Sequence, residues 1–492
     1  MLVVTTLLVP LIFGAICAAA KSRRVLEALN LSYSTLVAGL AAGIIATVLR
    51  EGPVTALRGA LRADALSALV VGLIAFVGFV TSIYAVGYMR HDEQSGKINA
   101  TQVQRFYTLT PLLTFAMLLV VLANNLGVMW IAIEGTTLAS VLLVAFYNER
   151  TSLEAAWKYI IIGSVGISFA LFGTIMTYVA ASSAIDSDST SALNWSVLLT
   201  RADKFDPAAM RLGFVLALIG YGTKAGLVPM HTWKPDAYAE APAPSAALLG
   251  AAFINCALYA IIRFTILADK CLGHAFTGNL LLIFGLASIL IAAPFIVAQR
   301  NFRRILAYSS IDHAGIMVAA LGFGGPLGAL GAMLHMLFHG VTKPLMFFCA
   351  GNVQQQFASA YFWKVRGVMR TLPWTGGIFL MATLAVTGTP PFSLFQSEFT
   401  ILSAALAGNR GWLAALFLVG VVTIFAGFLV HMSKLSLGAP AHVETPPRAA
   451  ECPWKLGAMA LVAVPVIVLG FWLPGRLYEL VRQTANIIGG GP

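Results

Sequence analysis

The sequence predicts an all-α integral membrane protein of about 14 transmembrane helices, in which helices 4–8 and 9–13 form two inverted five-helix repeats and helices 7 and 12 are broken. Three observations carry that prediction. Hydrophobic residues make up 59% of the 492-residue chain and the mean hydropathy is +0.85, far above the range of soluble domains. Apolar segments of about 20 residues recur from end to end. Two of them are interrupted near the middle by prolines close to a charge, and these two lie five segments apart.

The segments lie near 1–20, 26–49, 65–89, 107–125, 126–147, 155–183, 209–230, 244–267, 277–298, 305–324, 327–350, 373–407, 411–434 and 455–478. No stretch between them is long enough for a soluble domain. The first is followed by its basic cluster, Lys21, Arg23 and Arg24, the reverse of a cleaved secretory signal, so it is expected to remain as a helix. The fifth carries Glu134 in "VMWIAIEGTTLASVLLV", about eight residues in, which is too deep for a carboxylate to reach the interface easily. The seventh reads "GYGTKAGLVPMHTW", with Lys224 one turn before Pro229. The twelfth reads "TGTPPFSLFQSEFTIL", with Pro390 and Pro391 two turns before Glu398. Proline removes a backbone donor and frees the carbonyl four residues earlier, and in lipid such groups persist only where protein or water satisfies them. Both breaks therefore suggest hydrated cavities, with a packing kink as the plainer alternative. An odd offset of five helices turns the second copy upside down, the architecture of secondary transporters. The chain then divides into N-terminal helices 1–3 (1–106), a first repeat (107–267), an inverted second repeat (268–434) and a C-terminal loop with helix 14 (435–492). The eleventh segment holds "HMLFHGVTKP", with His335, His339 and Lys343 at steps of four on one helical face, where burial penalises charge.

Lys and Arg are biased toward one set of loops, about 17 on the side holding 21–24, 90–105, 300–304, 364–370 and 434–455 against about 11 opposite, which places both termini away from the cytoplasm. The net charge of +11 is then mostly topology. No basic run is dense enough, or interleaved with aromatics, to suggest nucleic acid. Cys17, Cys256, Cys271, Cys349 and Cys452 are scattered without CxxC spacing, so no iron–sulfur or zinc site is expected. His335 and His339 lack a third ligand nearby on their helix, and no metal is expected there. With no Walker A sequence and no Rossmann fingerprint, the chain is expected to bind no cofactor and to perform no redox catalysis itself. Energy must come from partners or an ion gradient.

Six segments, "NNLGVMWIAIEGTTL", "SLEAAWKYIIIGSVG", "GTKAGLVPMHTW", "RRILAYSS", "LHMLFHGVTKPLMFF" and "PPFSLFQSEF", occur in the order in which they mark a known family. The chain resembles the antiporter-like membrane subunits shared by respiratory complex I, Mrp-type sodium–proton antiporters and membrane-bound hydrogenases, and within them the F type of hydrogenase-4. The resemblance spans nearly the whole chain, most strongly about 107–407. It implies that Glu134 is the essential helix-5 glutamate and Lys224 its partner lysine, that His335, His339 and Lys343 form the central relay, and that Glu398 is the exit-side group. Lys158 is a candidate further link on helix 6, with an interfacial lysine as the equal alternative; His231, two residues after Pro229, is another candidate. Relatives in several branches carry a lysine where this chain has Asn255, which cannot hold the proton and leaves the span from Lys224 to His335 dependent on water. Lys234 stands where an apolar residue is common and Tyr238 where a histidine is common, which removes any relay through that histidine.

The physical mechanism follows from charge and burial. Desolvation disfavours the charged form of a buried amine or carboxyl, and each restores the other on approach; at about 4 Å and an effective dielectric of about 20 the attraction is roughly 4 kcal/mol. Moving Glu134 relative to Lys224 would switch the lysine between holding and releasing a proton, which would pass to His335 and His339, then Lys343 and Glu398. The expected function is a proton-translocating subunit of a hydrogenase-type, formate-hydrogenlyase-like or related respiratory complex in the bacterial inner membrane. Its partners would be other membrane subunits and a peripheral nickel–iron hydrogenase arm. An Mrp-type cation–proton antiporter or ion-coupled uptake subunit, in which sodium is carried, and a structural membrane scaffold remain alternatives.

Overall fold

The computed structural model describes residues 1–185, 191–439 and 446–489, and helices follow the apolar segments in the expected order. An N-terminal pair, α1 (Leu2–Ala19) and α2 (Arg23–Glu51), leads to a short antiparallel hairpin, β1 (Val54–Ala56) and β2 (Leu61–Ala63). This hairpin is a small addition to an otherwise helical chain; its six paired residues, preceded by Gly52 and turned at Gly59, both at positive φ, are too few to leave an alternating signature. Next come α3 (Ala65–Gln94), α4 (Ala100–Leu122), α5 (Leu126–Val144) and α6 (Arg150–Ala181). Their starts are set by side-chain caps: Asp64 accepts from the Ser67 amide at 3.1 Å, Asn99 and Gln102 form a capping box, and Asn125 accepts from the amides of Gly127 and Val128.

A short α7 (Trp195–Arg201) precedes α8 (Pro207–Ala225), and both expected breaks then occur. α8 stops at Gly226, whose φ of +77° makes a left-handed cap, and the chain re-forms as α9 (Trp233–Glu240). α10 (Ala243–Leu248) runs through a π turn at Leu249–Phe253 into α11 (Ile254–Leu272), giving one apolar span. Then follow α12 (His274–Ala298), α13 (Phe302–Phe323), α14 (Gly325–Phe357) and α15 (Val368–Thr371). α16 (Pro373–Val386) and α17 (Ser393–Ala407) flank the second break. α18 (Gly411–Leu437) and α19 (Pro453–Phe471) complete the spans. The last expected segment, 455–478, is divided: Pro474 opens a separate amphipathic helix, α20 (Gly475–Gly489).

Among the described residues eleven helices are long and apolar enough to cross a membrane. The chain is therefore a multi-pass membrane protein. The two broken helices fall outside that set, as does α14, whose His335, His339 and Lys343 lower its hydropathy. The apolar windows of α10–α11 and α13 are wholly buried, whereas α1, α2, α18 and α19 turn most of theirs outward. Polar residues at the centre are thus walled by helices that meet lipid on their far sides.

Small residues let the walls close. A Cβ on Gly173 of α6 would lie 2.5 Å from the Ala217 amide nitrogen and 2.9 Å from the Gly213 carbonyl of α8, so the two backbones touch there. Gly39 of α2 has no atom within 4 Å of its would-be Cβ. The same substitution should therefore have opposite effects: Gly173→Ala is expected to destabilise by about 1–3 kcal/mol, and Gly39→Ala to be neutral or slightly stabilising. Thermal unfolding midpoints in detergent measure both.

Candidate functional site

The α14 stripe forms as the step of four dictates, and all three side chains are fully buried. Lys343 Nζ donates to Ser309 Oγ of α13 at 2.8 Å. His335 lies with Nε2 2.9 Å from His313 Nδ1 and with Nδ1 3.0 Å from Ser397 Oγ of α17. The His339 ring centroid is 4.7 Å from that of His313, and neither of its nitrogens has a hydrogen-bond partner among the described residues.

α13 therefore supplies residues that sequence reasoning missed, in "SSIDHAG", 309–315. Asp312 is buried, and its Oδ1 has no hydrogen-bond partner among the described residues. Its carboxyl interacts electrostatically with Lys343 and with Glu398. Ser309, Asp312, His313, Thr387 and Glu398 line an internal cavity of about 10 Å³, the lower bound for one water molecule. Glu398 reaches this position because Gly388, at φ +65° in the break, leaves room: a Cβ there would sit 2.7 Å from the Glu398 carboxyl carbon.

On the other side of the bundle, Lys224 occupies the last turn of α8 and is buried. Its Nζ donates to Thr137 Oγ1 and, at 3.4 Å, to the Tyr159 hydroxyl. Thr137 Oγ1 in turn donates to Glu134 Oε2 at 3.1 Å. A hydroxyl thus stands between the two charges where the sequence suggested direct approach. Glu134 is also shallower than expected: it is half-buried, and its helix neighbours Ile131 and Leu138 are 60% and 59% exposed. An outer face of α5 carries the carboxylate.

Between Lys224 and Lys343 the structure sets Lys234, fully buried near the start of α9. Breaking a helix orphans its last carbonyls, and α9 returns donors to them: Trp233 Nε1 to the Thr223 carbonyl at 3.0 Å and Lys234 Nζ to the Ala225 carbonyl at 2.6 Å. Lys234 Nζ also donates to the Ser310 carbonyl at 3.2 Å. It joins the residue after Lys224 to the residue after Ser309, the acceptor of Lys343. The only sequence signal was a lysine where an apolar residue is common.

The remaining candidates separate from this axis. Lys158 is exposed and pairs with Glu154 at 2.7 Å and Asp236 at 3.1 Å, beside an Arg304–Asp236 pair at 2.7 Å; its long stem reaches the surface, so it links helix ends instead of the interior. His231 lies in the break with Nδ1 3.3 Å from the Pro229 carbonyl, away from the axis. Pro229, Pro390 and Pro391 stand in the two unwound stretches, each of which contains a cis X–Pro bond. Asn255 is buried against Gly340; its Nδ2 donates to the Ala251 carbonyl at 2.8 Å and its Oδ1 has no protein partner. Tyr238 donates to the Leu249 carbonyl at 2.8 Å, which satisfies the π turn.

The result is a buried line, Glu134, Thr137, Lys224, Lys234, Lys343, Asp312 and Glu398, with three histidines beside it. Such a line inside a multi-pass helical bundle defines a membrane protein whose interior can hold and exchange protons. The chain belongs to the family described as NADH:quinone oxidoreductase/Mrp antiporter, TM, which matches residues 123–425. Residues 55–107 match the N-terminus of chain 5 of NADH-ubiquinone oxidoreductase (complex I). The chain is 36% identical over 425 residues to the hydrogenase-4 component F homolog of Methylacidiphilum infernorum (isolate V4), across 86% of this chain and 88% of that one. Its fold is similar to a chain in the membrane-bound sulfane sulfur reductase, an archaeal respiratory membrane complex, with a TM-score of 0.87 at 23% identity over 99% of this chain and 97% of the other. A chain of the Mrp complex from Dietzia sp. DQ12-45-1b gives a TM-score of 0.86 at 18% identity, over 99% and 97%.

Proposed function

We propose that this chain is the proton-translocating membrane subunit of a hydrogenase-type, formate-hydrogenlyase-like or related respiratory complex. The observation that carries the reading is the line of buried ionisable groups that runs from half-buried Glu134 to half-buried Glu398. From Glu134 to Lys343 its charged groups alternate with hydroxyls and carbonyls at hydrogen-bond distance, and Asp312 and Glu398 continue it across a small cavity, an arrangement that suits stepwise transfer and is costly as mere packing. Lys224 gives up its proton when Glu134 moves away and regains it when Glu134 returns, with Thr137 relaying the field. Lys234 carries the charge over the gap that Asn255 leaves, Lys343 receives it, and Asp312 passes it to Glu398. The three histidines, in ring contact with one another beside Lys343, offer a parallel path.

In this reading 107–267 and 268–434 are the inverted repeats, 1–106 and 435–492 frame them, the termini face away from the cytoplasm of a bacterial inner membrane, and a peripheral hydrogenase-like arm drives the cycle. The 36% identity to a hydrogenase-4 component F homolog supports this branch. Affinity purification of the chain from its native membranes is expected to bring down other membrane subunits together with a nickel–iron large subunit and iron–sulfur subunits, and the electron donor of that complex should drive proton movement in sealed vesicles. If only small membrane subunits co-purify, and added sodium discharges an imposed pH gradient without a redox donor, the chain is an antiporter subunit instead.

A further inference from the structure

A second polar line leaves the same axis along α11. Asn255, Tyr259 and Arg263 share one face at steps of four, about 12 Å from first to last. Asn255 lies against Gly340 of α14, next to His339, and its Oδ1 and both nitrogens of His339 are buried groups without hydrogen-bond partners among the described residues, the kind that internal water satisfies. One turn on, the Tyr259 hydroxyl donates to the Val121 carbonyl at 3.0 Å and lies 3.2 Å from Ser67 Oγ. Ser67 Oγ donates to Asp64 Oδ1 at 3.3 Å. Arg263 Nη2 donates to Asp64 Oδ1 at 2.7 Å and to Ser67 Oγ at 3.1 Å, while its Nη1 has no protein partner. Asp64, with Arg62, Trp195, Thr265 and His274, lines a cavity of about 740 Å³ that is bordered by the end of α20.

An ion pair alone would tie α3 to α11; it does not call for two further hydroxyls in series between the pair and the bundle centre. We propose that Tyr259, Ser67 and Asp64 form a second proton route, separate from Glu398, between the His339 level of the axis and this cavity. The proposal rests on the proton-carrying reading of the axis. Hydroxyls accept and donate at once, so a proton reaching the Tyr259 oxygen from water beside Asn255 releases the tyrosine's own proton to the Ser67 oxygen. Ser67 passes its own proton to the Asp64 carboxylate, which yields it to water in the cavity. Each hydroxyl ends with one proton and Asp64 ends ionised. Arg263 never gives up its proton; it positions Asp64 and Ser67, and its guanidinium stacks 4.2 Å from the Trp195 ring and 4.8 Å from the Tyr259 ring. The alternative acceptor of Tyr259, the Val121 carbonyl, makes the line a gate: it conducts only when the hydroxyl turns to Ser67.

The test uses the native complex in sealed vesicles. Tyr259→Phe keeps the ring under Arg263 and removes only the hydroxyl, and Ser67→Ala removes the next one. Each is expected to slow donor-driven proton movement by at least ~10-fold with assembly intact. Wild-type rates in both, while Lys343→Met is inactive, would overturn the second route and leave the axis standing. Wild-type rates in all three would remove the axis and the route together. Should either hydroxyl variant fail to assemble, Ser67→Cys decides: a small membrane-impermeant thiol reagent added on the cavity side is expected to modify it above the background of the five native cysteines. No modification above that background overturns the route.

Discussion

Replacing Lys343 by Met is expected to reduce coupled proton movement by at least ~100-fold, the scale on which a positioned acid or base contributes to proton transfer. The chain and its complex should still assemble. Methionine has nearly the length of lysine and suits an apolar helix interior, so the packing of α14 is kept. The structural loss is one hydrogen bond to Ser309, about 1 kcal/mol, together with the cation facing Asp312. Lys343→Arg sharpens the test, because arginine keeps the positive charge but cannot release a proton. A side chain that served only as counter-ion to Asp312 would be replaced by Arg with little loss of pumping, whereas a relay group would fail as Arg and as Met alike. Donor-driven acidification of vesicles, normalised to the amount of assembled complex, separates the two. Normal pumping in Lys343→Met would sink the central relay.

The parts of this site that were legible in the sequence share one property: each is an ionisable group deep in an apolar run. His335, His339 and Lys343 stand out by their step of four, and Lys224 and Glu398 by the prolines beside them. The structure indeed places these five inside the bundle around two unwound stretches. Asp312 and His313 were not legible because they follow Arg303 and Arg304 by about two turns, where polar residues are ordinarily interfacial. Only the complete enclosure of α13 by neighbouring helices turns them inward. Lys234 was ambiguous for the same reason. A lysine just past a break can snorkel outward, and what directs it inward is the set of carbonyls freed at the end of α8. Lys158 shows the opposite outcome, since Asp236 and Glu154 at the surface gave its ammonium group a nearer partner. Thr137 illustrates a deeper limit. Nothing in "EGTTLAS" distinguishes Thr137 from Thr136 except the direction in which α5 turns toward Lys224, and that is a tertiary fact.

The position of Thr137 changes what mutation of the Glu134–Lys224 pair should reveal. Glu134→Gln leaves Lys224 buried without its balancing carboxylate, and Lys224→Met leaves Glu134 facing Thr137 alone. Stranding one member of a buried pair costs about 3–5 kcal/mol if it stays ionised. Most of that cost falls on Lys224, because Glu134 is half-buried and keeps access to the outer face of α5. Each stranded group therefore does better neutral, and each single variant should stop proton transfer while lowering stability modestly, more in Glu134→Gln than in Lys224→Met. The double variant removes both charges, and a matched neutral pair often substitutes for a buried ion pair without loss. A pair kept only for packing would then regain stability and pumping together. A switch would regain stability alone, since neither Gln nor Met can take up or release a proton. The double variant is accordingly expected to melt within about 0.5 kcal/mol of wild type, the limit of ordinary additivity, and to remain at the background rate of proton movement. Thr137→Val, which keeps shape and removes only the bridging hydroxyl, should slow transfer by ~10-fold or more with both charges in place. Recovery of coupled pumping in the double variant would reject the switch, and full activity in Thr137→Val would remove the hydroxyl from it.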